Sequence, residues 1–201
     1  MYSAYDALVQ LALLKETSED AAAESFANEA AAAEAAELLR QERLARVKQS
    51  QEQLKNWVAF APCNHQHRWE LVEAERYAQQ GDRLAAMAAY DQAIAAAKAN
   101  RYIQEEALGN ELAAKFYLDW GRDKLAEVYM QEAYYCYAHW GAKAKITHLE
   151  QQYSSLLKPI LQKAKQPALA HLSTTSTIVT THLAVSPTSS LPADSGTGPA
   201  S

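Results

Sequence analysis

Cysteine is nearly absent. Cys63 and Cys136 are the only two in 201 residues, too few for a disulfide framework and suited to a reducing compartment. Long hydrophobic runs are missing too: no stretch of about 18 uncharged apolar residues occurs, so no transmembrane helix is expected. The opening MYSAYDALVQLALLKE has no basic residue ahead of its apolar stretch, which makes it a poor secretory signal. A cytoplasmic location is therefore expected. Nor is there an excess of positive charge. Nineteen Lys and Arg stand against 24 Asp and Glu, a formal net charge of −5. Neutralising phosphates needs clustered cations, so neither nucleic acid nor a membrane is an expected partner.

Catalytic signatures are also lacking. No glycine precedes Lys-Ser or Lys-Thr, so the phosphate-cradling loop is missing, and no GxGxxG occurs. There is no His-Arg-Asp and no Asp-Phe-Gly of a protein kinase. His148-Leu149-Glu150 lacks the Arg and Pro that would follow in a phospho-accepting histidine box. The chain is expected to carry no enzyme activity and no cofactor.

Glycine and proline are sparse before residue 166: Pro62, Pro159, Gly81, Gly109, Gly121 and Gly141 are the whole supply. Beyond it the composition changes. Residues 166–201 hold no Lys or Arg, one acid (Asp194), seven Ser, seven Thr and four Pro. Such a segment buries too little apolar surface to offset chain entropy, and a disordered linker or tail is expected there. Three regions follow: N-terminal helices over 1–62, helical repeats over 63–165, and the tail.

What is present is alanine, the best helix former, and helical periodicity. Glu19 to Arg40 reads as a weakly amphipathic Ala/Glu helix. Leu44, Val47, Leu54, Trp57 and Val58 share a face, and Pro62 should stop that helix. Leu71, Ala74 and Ala78, with Tyr77 beside them, face a return helix bearing Ala86, Tyr90, Ala93 and Ala97. Leu108, Leu112, Phe116 and Trp120 then face Leu125, Val128, Tyr129, Ala133, Cys136, Tyr137 and Trp140. Asn100 is a plausible helix end. A last helix carries Ile146, Leu149, Tyr153, Leu156 and Leu157 and is limited by Pro159.

The two pairs read as one repeat. Gly81 and Gly121 are each preceded by Tyr four residues back and followed by Ala at +5 and +12 (Ala86 and Ala93; Ala126 and Ala133). Glycine permits a tight turn, and alanine lets the helices approach. This resembles tetratricopeptide repeats, whose usual period is about 34 residues. The longer spacing here implies an extended first helix in the second unit. The expected fold is all-α, an α-α superhelix of tetratricopeptide-like hairpins.

Candidate sites are few. Cys63, His65 and His67 have metal-type side chains, but no fourth ligand stands at zinc-site spacing, and a loop and helix start is the preferred reading. Glu105, Glu106 and Glu111 read as a solvated helical face. Tyr117, Tyr134 and Tyr135 belong to an aromatic stripe. Tyr134 and Tyr135 are adjacent, and neighbouring helix residues point about 100° apart, so one of them faces away from the seam and is the better contact candidate. Glu111, Tyr117, Tyr134 and Tyr135 are taken as the partner-contact residues.

Trp57 to Tyr153, with LVEAERYAQQGD and AAYDQAIAAAKANRYIQEEALGNELAAKFYLDWGRDKLAEVYMQEAYYCYAHWGAKAKITHLEQQY, resembles the helical region of very large bacterial signalling kinases. YDALVQLALL at the start looks like part of it. In that family a serine/threonine kinase and an AAA-type ATPase domain precede the tetratricopeptide-like region, and a GAF sensor and a histidine kinase follow. The Ala/Glu-rich stretch near 21–36 looks like an insertion. Cys63 and His65 replace apolar residues of the family, while His67 fits. The family's catalytic motifs lie outside these 201 residues.

The resemblance implies a non-catalytic module for protein–protein interaction or interdomain signal relay in a two-component system. The partners would be neighbouring kinase, ATPase or sensor domains, or a peptide segment. The alternative is a purely structural linker without a ligand; a metal-dependent enzyme built on Cys63, His65 and His67 ranks below it. If the chain is an excised piece, Tyr2 to Leu14 should expose an apolar face and promote self-association.

Overall fold

Helices with very short connections are what sparse glycine and proline dictate. In the computed structural model, which describes residues 2–23 and 29–162, the elements are α1 (Tyr2–Ala23), α2 (Glu29–Phe60), α3 (Pro62–Gln80), α4 (Arg83–Ala99), α5 (Ile103–Asp119), α6 (Asp123–Trp140) and α7 (Lys143–Gln152). A short helical stretch over 158–162 follows. Among the described residues there is no strand, so the fold is all-α. The tail over 166–201, expected to be disordered, lies outside the described residues, as do residues 24–28 within the Ala/Glu stretch. None of the described helices is long and apolar enough to cross a membrane.

The turns follow from local chemistry. Pro62 opens α3 at a position where its missing N–H costs nothing. Gly81 is left-handed at φ 77°; its N–H donates to the Ala78 carbonyl, and the Asp82 N–H donates to that of Tyr77. This is a Schellman closure, and it needs positive φ. Asp82 then caps α4, accepting from the Ala85 N–H at 3.1 Å. The closure recurs at Gly121 onto Leu118 and Tyr117, and at Gly141 onto Ala138 and Tyr137. In all three a tyrosine carbonyl accepts the last bond. The α4–α5 turn uses the same bonds without a glycine. Arg101 N–H meets Lys98 O, Tyr102 N–H meets Ala97 O, and Arg101 takes φ 62°. Asn100 ends α4, but the left-handed residue is the one after it.

Helices pair in sequence, α1 with α2, α3 with α4 and α5 with α6. The pairs meet where α2 packs on α3 and α4 on α5, and α1 also lies against α3. Three clusters form the core. Ala4, Ala7, Leu11, Leu14, Val47, Leu54 and Val72 fill the α1–α2–α3 junction. Leu71, Ala74, Ala86, Tyr90, Ala93, Phe116 and Tyr117 fill the next. Ala107, Ala114, Met130, Ala133, Tyr137, Leu149 and Leu157 fill the last. Each buried Leu stabilises by roughly 1.5–3 kcal/mol relative to exposure. Alanines at the seams bring backbones close, and Gly109 in α5 closes further: a Cβ there would stand 3.0 Å from Ile94 Cγ1 of α4.

Several sequence expectations are corrected. The second unit has no extended first helix: α5 has 17 residues, as α4 does, against 19 in α3. On α6 the buried face is Ala126, Met130, Ala133, Cys136 and Tyr137, while Leu125, Val128 and Trp140 are exposed. Leu44 is exposed, unlike Val47 and Leu54. The last helix ends at Gln152; Tyr153 caps it, and Pro159 sits within the helical stretch that follows. The apolar face of α1 is covered by α2 and α3, leaving Tyr5 and Val9 among its exposed residues.

Candidate functional site

The acids of α5 are not a solvated face. Apart from Lys115, four residues after Glu111, their partners lie far away in sequence, so spacing alone does not announce the burial. Glu105 is buried and receives Arg68 of α3, Nε to Oε1 at 2.7 Å and Nη2 to Oε1 at 2.5 Å. The Tyr5 hydroxyl of α1 donates to the same oxygen at 3.1 Å. His67 Nε2 stands 3.4 Å from Oε2, a contact too long for a strong hydrogen bond. The His67 ring stacks on Tyr102, centroids 4.6 Å apart. Burial acts to raise the Glu105 carboxyl, but the His67 and Arg68 contacts outweigh it and hold the group below the ordinary carboxylate value.

Glu111, one of the four contact residues expected from the sequence, is 1 % exposed. It pairs with Lys115 at 2.7 Å and Lys145 of α7 at 2.9 Å, and accepts the Tyr137 hydroxyl of α6 at 2.9 Å. Burial opposes its ionisation, and the two ammoniums overcome that, holding it below its ordinary value. The Tyr137 phenol is pushed up by burial and by the Glu111 charge. Both carboxylates are saturated by fixed donors, which locks α5 against its neighbours.

Tyr117 is also buried, 2 % exposed. Its ring stacks on Tyr129 at 5.1 Å and on Trp120 at 6.2 Å. The Tyr129 hydroxyl donates to Asp91 of α4 at 2.6 Å, and Arg83 and Arg122 each lie about 5 Å over Trp120, at 5.2 and 5.1 Å. Tyr117 therefore contributes to the joint between hairpins and has almost no surface to present. Tyr134 is half-buried and donates to Glu150 of α7 at 2.8 Å. Tyr135 is 50 % exposed and meets Tyr134 edge-on. Of the adjacent pair, Tyr135 is the one that faces out.

Tyr135 has companions that apolar periodicity alone places inward. Leu125 and Val128, the latter 58 % exposed, are exposed on the same helix. Spacings of three and seven place Leu125, Val128 and Tyr135 on one side of α6. The signal that would have found them is the alanine at 126 and 133: small residues hold the seam, so the larger apolar side chains point away.

Cys63, His65 and His67 go to different places. Cys63 is exposed, His65 lies against Trp57 at 5.3 Å, and His67 is buried beside Glu105. Among the described residues no group of three His, Cys, Asp or Glu is placed to hold a metal ion. Cys136 is buried, and desolvation, with the Glu106 charge adding to it, pushes its thiol up to about 11.

No family model matches the chain, and no solved structure matches it. Over 57 residues, 28 % of its length, the chain is 39 % identical to the hybrid signal transduction histidine kinase G of Dictyostelium discoideum. The matched stretch is 2 % of that protein's length. The likeness and the helical fold are compatible with a signalling helical module.

Proposed function

We propose that this chain is a non-catalytic helical-repeat module for protein–protein interaction or interdomain signal relay, of the kind that stands between the ATPase and sensor domains of a multi-domain histidine kinase. The observation that carries the reading is the 39 % identity over 57 residues to a histidine kinase. Support comes also from the α3–α4 and α5–α6 hairpins with their recurrent Tyr-to-Gly closures, which suit a tetratricopeptide-like stack. In such a stack each unit contacts its neighbours, so displacement at one end is passed along. The saturated Glu105 and Glu111 centres would keep the units in register. Tyr135, with Leu125 and Val128, is the contact surface we assign, and the setting is cytoplasmic.

The test uses the full chain as bait in native extract, with Tyr135→Ala and Val128→Glu as variants. Capture of a kinase, ATPase or sensor polypeptide that both folded variants lose is the expected result. Equal capture by the variants would remove the α6 assignment. Capture of nothing by any form would favour a purely structural linker.

A further inference from the structure

Glu70 of α3 is a buried carboxylate with no cation beside it. It is 8 % exposed, and the Gln66 amide, one turn earlier on α3, donates to it at 2.6 Å. The other glutamates buried to that degree are all paired: Glu73 with Arg76, Glu105 with Arg68, and Glu111 with Lys115 and Lys145. Among the described residues Glu70 forms no ion pair. Burial raises its carboxyl above the ordinary value; the Gln66 bond opposes this and the Glu73 charge adds to it. A buried carboxylate without a counter-ion is costly to ionise, and a cation arriving from outside would remove that cost.

There is room for one. Glu70 lines an open groove of about 310 Å³ between α3 and α4, with Trp69, Glu73 and Tyr77 on one side and Ala85 and Ala89 on the other. The alanines leave the space that larger residues of α4 would fill. The aromatic walls suit a cation, because ring faces attract positive charge. Tyr77 already carries one, the Arg76 guanidinium 4.7 Å from its centroid.

A second observation points the same way. Gln51 of α2, also buried, donates to Glu73 at 2.5 Å, but its own Oε1 is buried without a donor. Gln51 and Glu73 line a further groove of about 380 Å³ between α2 and α3. On the α2 flank of Glu73, then, what is short is a donor, and on the α4 flank Glu70 has an amide but no cation.

We propose that the α3–α4 groove seats a Lys or Arg side chain from a partner protein segment, with Glu70 as its counter-ion and Trp69 and Tyr77 as its walls. This rests on the protein-interaction reading above. An open groove suits a side chain whose backbone continues along the surface. A guanidinium suits it best, being planar, weakly hydrated and able to stack while it hydrogen-bonds. The chain's net charge of −5 favours approach of a basic segment.

The test is a titration of the full chain with acetyl-Gly-Arg-Gly-amide and with its citrulline counterpart, a neutral isostere. The Trp69 indole N–H resonance is followed and assigned with Trp69→Phe. The arginine peptide should shift it saturably, and the citrulline peptide should bind at least tenfold more weakly. Glu70→Gln should abolish the preference, whereas Glu132→Gln, an exposed acid of α6, should leave it intact. Ala85→Leu, which fills the groove from α4 while Glu70 itself is kept, should block the shift. No Trp69 response, an equal response to citrulline, or a preference that survives Glu70→Gln in a folded variant would overturn the site. Capture through α6 in extract is independent of these peptides. Its survival alongside a silent groove would sink this inference alone, and loss of both would sink the interaction reading as well.

Discussion

Arg68 and Glu105, 37 residues apart in the chain, meet at 2.5 Å with side chains 10 % and 3 % exposed. With Tyr5 on the same oxygen, one carboxylate ties α1, α3 and α5. Removing one member of a buried pair strands the other and costs about 3–5 kcal/mol. Glu105→Ala should therefore lower stability by that order in urea unfolding. Replacing both partners with Met should cost much less, because no charge is left buried. A loss below about 1 kcal/mol for Glu105→Ala, the range of exposed pairs, would mean that Arg68 is solvated.

The same centre sets an acid limit. Glu105 and Glu111 both ionise below their ordinary 4.5 in the folded chain. The unfolded chain therefore takes up those protons first as pH falls. Their contribution is full above the unfolded value and is lost as pH drops through the folded one. Glu70 and Glu75, raised by burial, act with the opposite sign. Melting temperature followed downward from about pH 5 should fall less steeply in Glu105→Gln than in the parent. Identical slopes would show that the Glu105 pairing does not form.

Gly121 sits at φ 72° with nothing within 4 Å of an added Cβ. Any penalty for a side chain there is backbone strain rather than collision. Gly121→Val should cost at least the roughly 1–2 kcal/mol of a non-glycine left-handed residue, more for a β-branched one. A chain of this size loses about 2–4 °C in melting temperature per kcal/mol. An unchanged melting temperature would place the turn elsewhere.

What the sequence made legible is punctuation, because local chemistry sets it. Tyr77 with Gly81, Tyr117 with Gly121, and the alanines at 86, 93, 126 and 133 mark closures and seams that the fold keeps. What it hid is orientation and long-range pairing. On α6 the seam is alanine, so apolar content misleads, and Leu125 and Val128 turn out to solvent. Glu111 and Lys115 have readable four-residue spacing, but the burial of Glu111 depends on Lys145 and Tyr137, 34 and 26 residues away. The burial of Glu105 is hidden for the same reason: no periodicity links positions 68 and 105. Pro159 misled because proline is tolerated in a first helical turn, and the break came earlier, at Tyr153.

Arg101 is the inverse of Gly121. It holds the left-handed position of the α4–α5 closure at φ 62°, where the other three closures use glycine. An L-residue there costs roughly 1–2 kcal/mol, and relieving it is partly offset by the greater freedom glycine gives the unfolded chain, about 0.4–1 kcal/mol. Arg101 is exposed, so little packing is lost with it. Arg101→Gly should raise stability by up to about 1 kcal/mol, and Arg101→Asn by less, since Asn tolerates this region better than Arg but worse than Gly. Thermal melts of the two variants beside the parent decide it. A rise ordered Gly above Asn above Arg is the signature of relieved backbone strain. A fall in both would mean that the arginine side chain holds the turn.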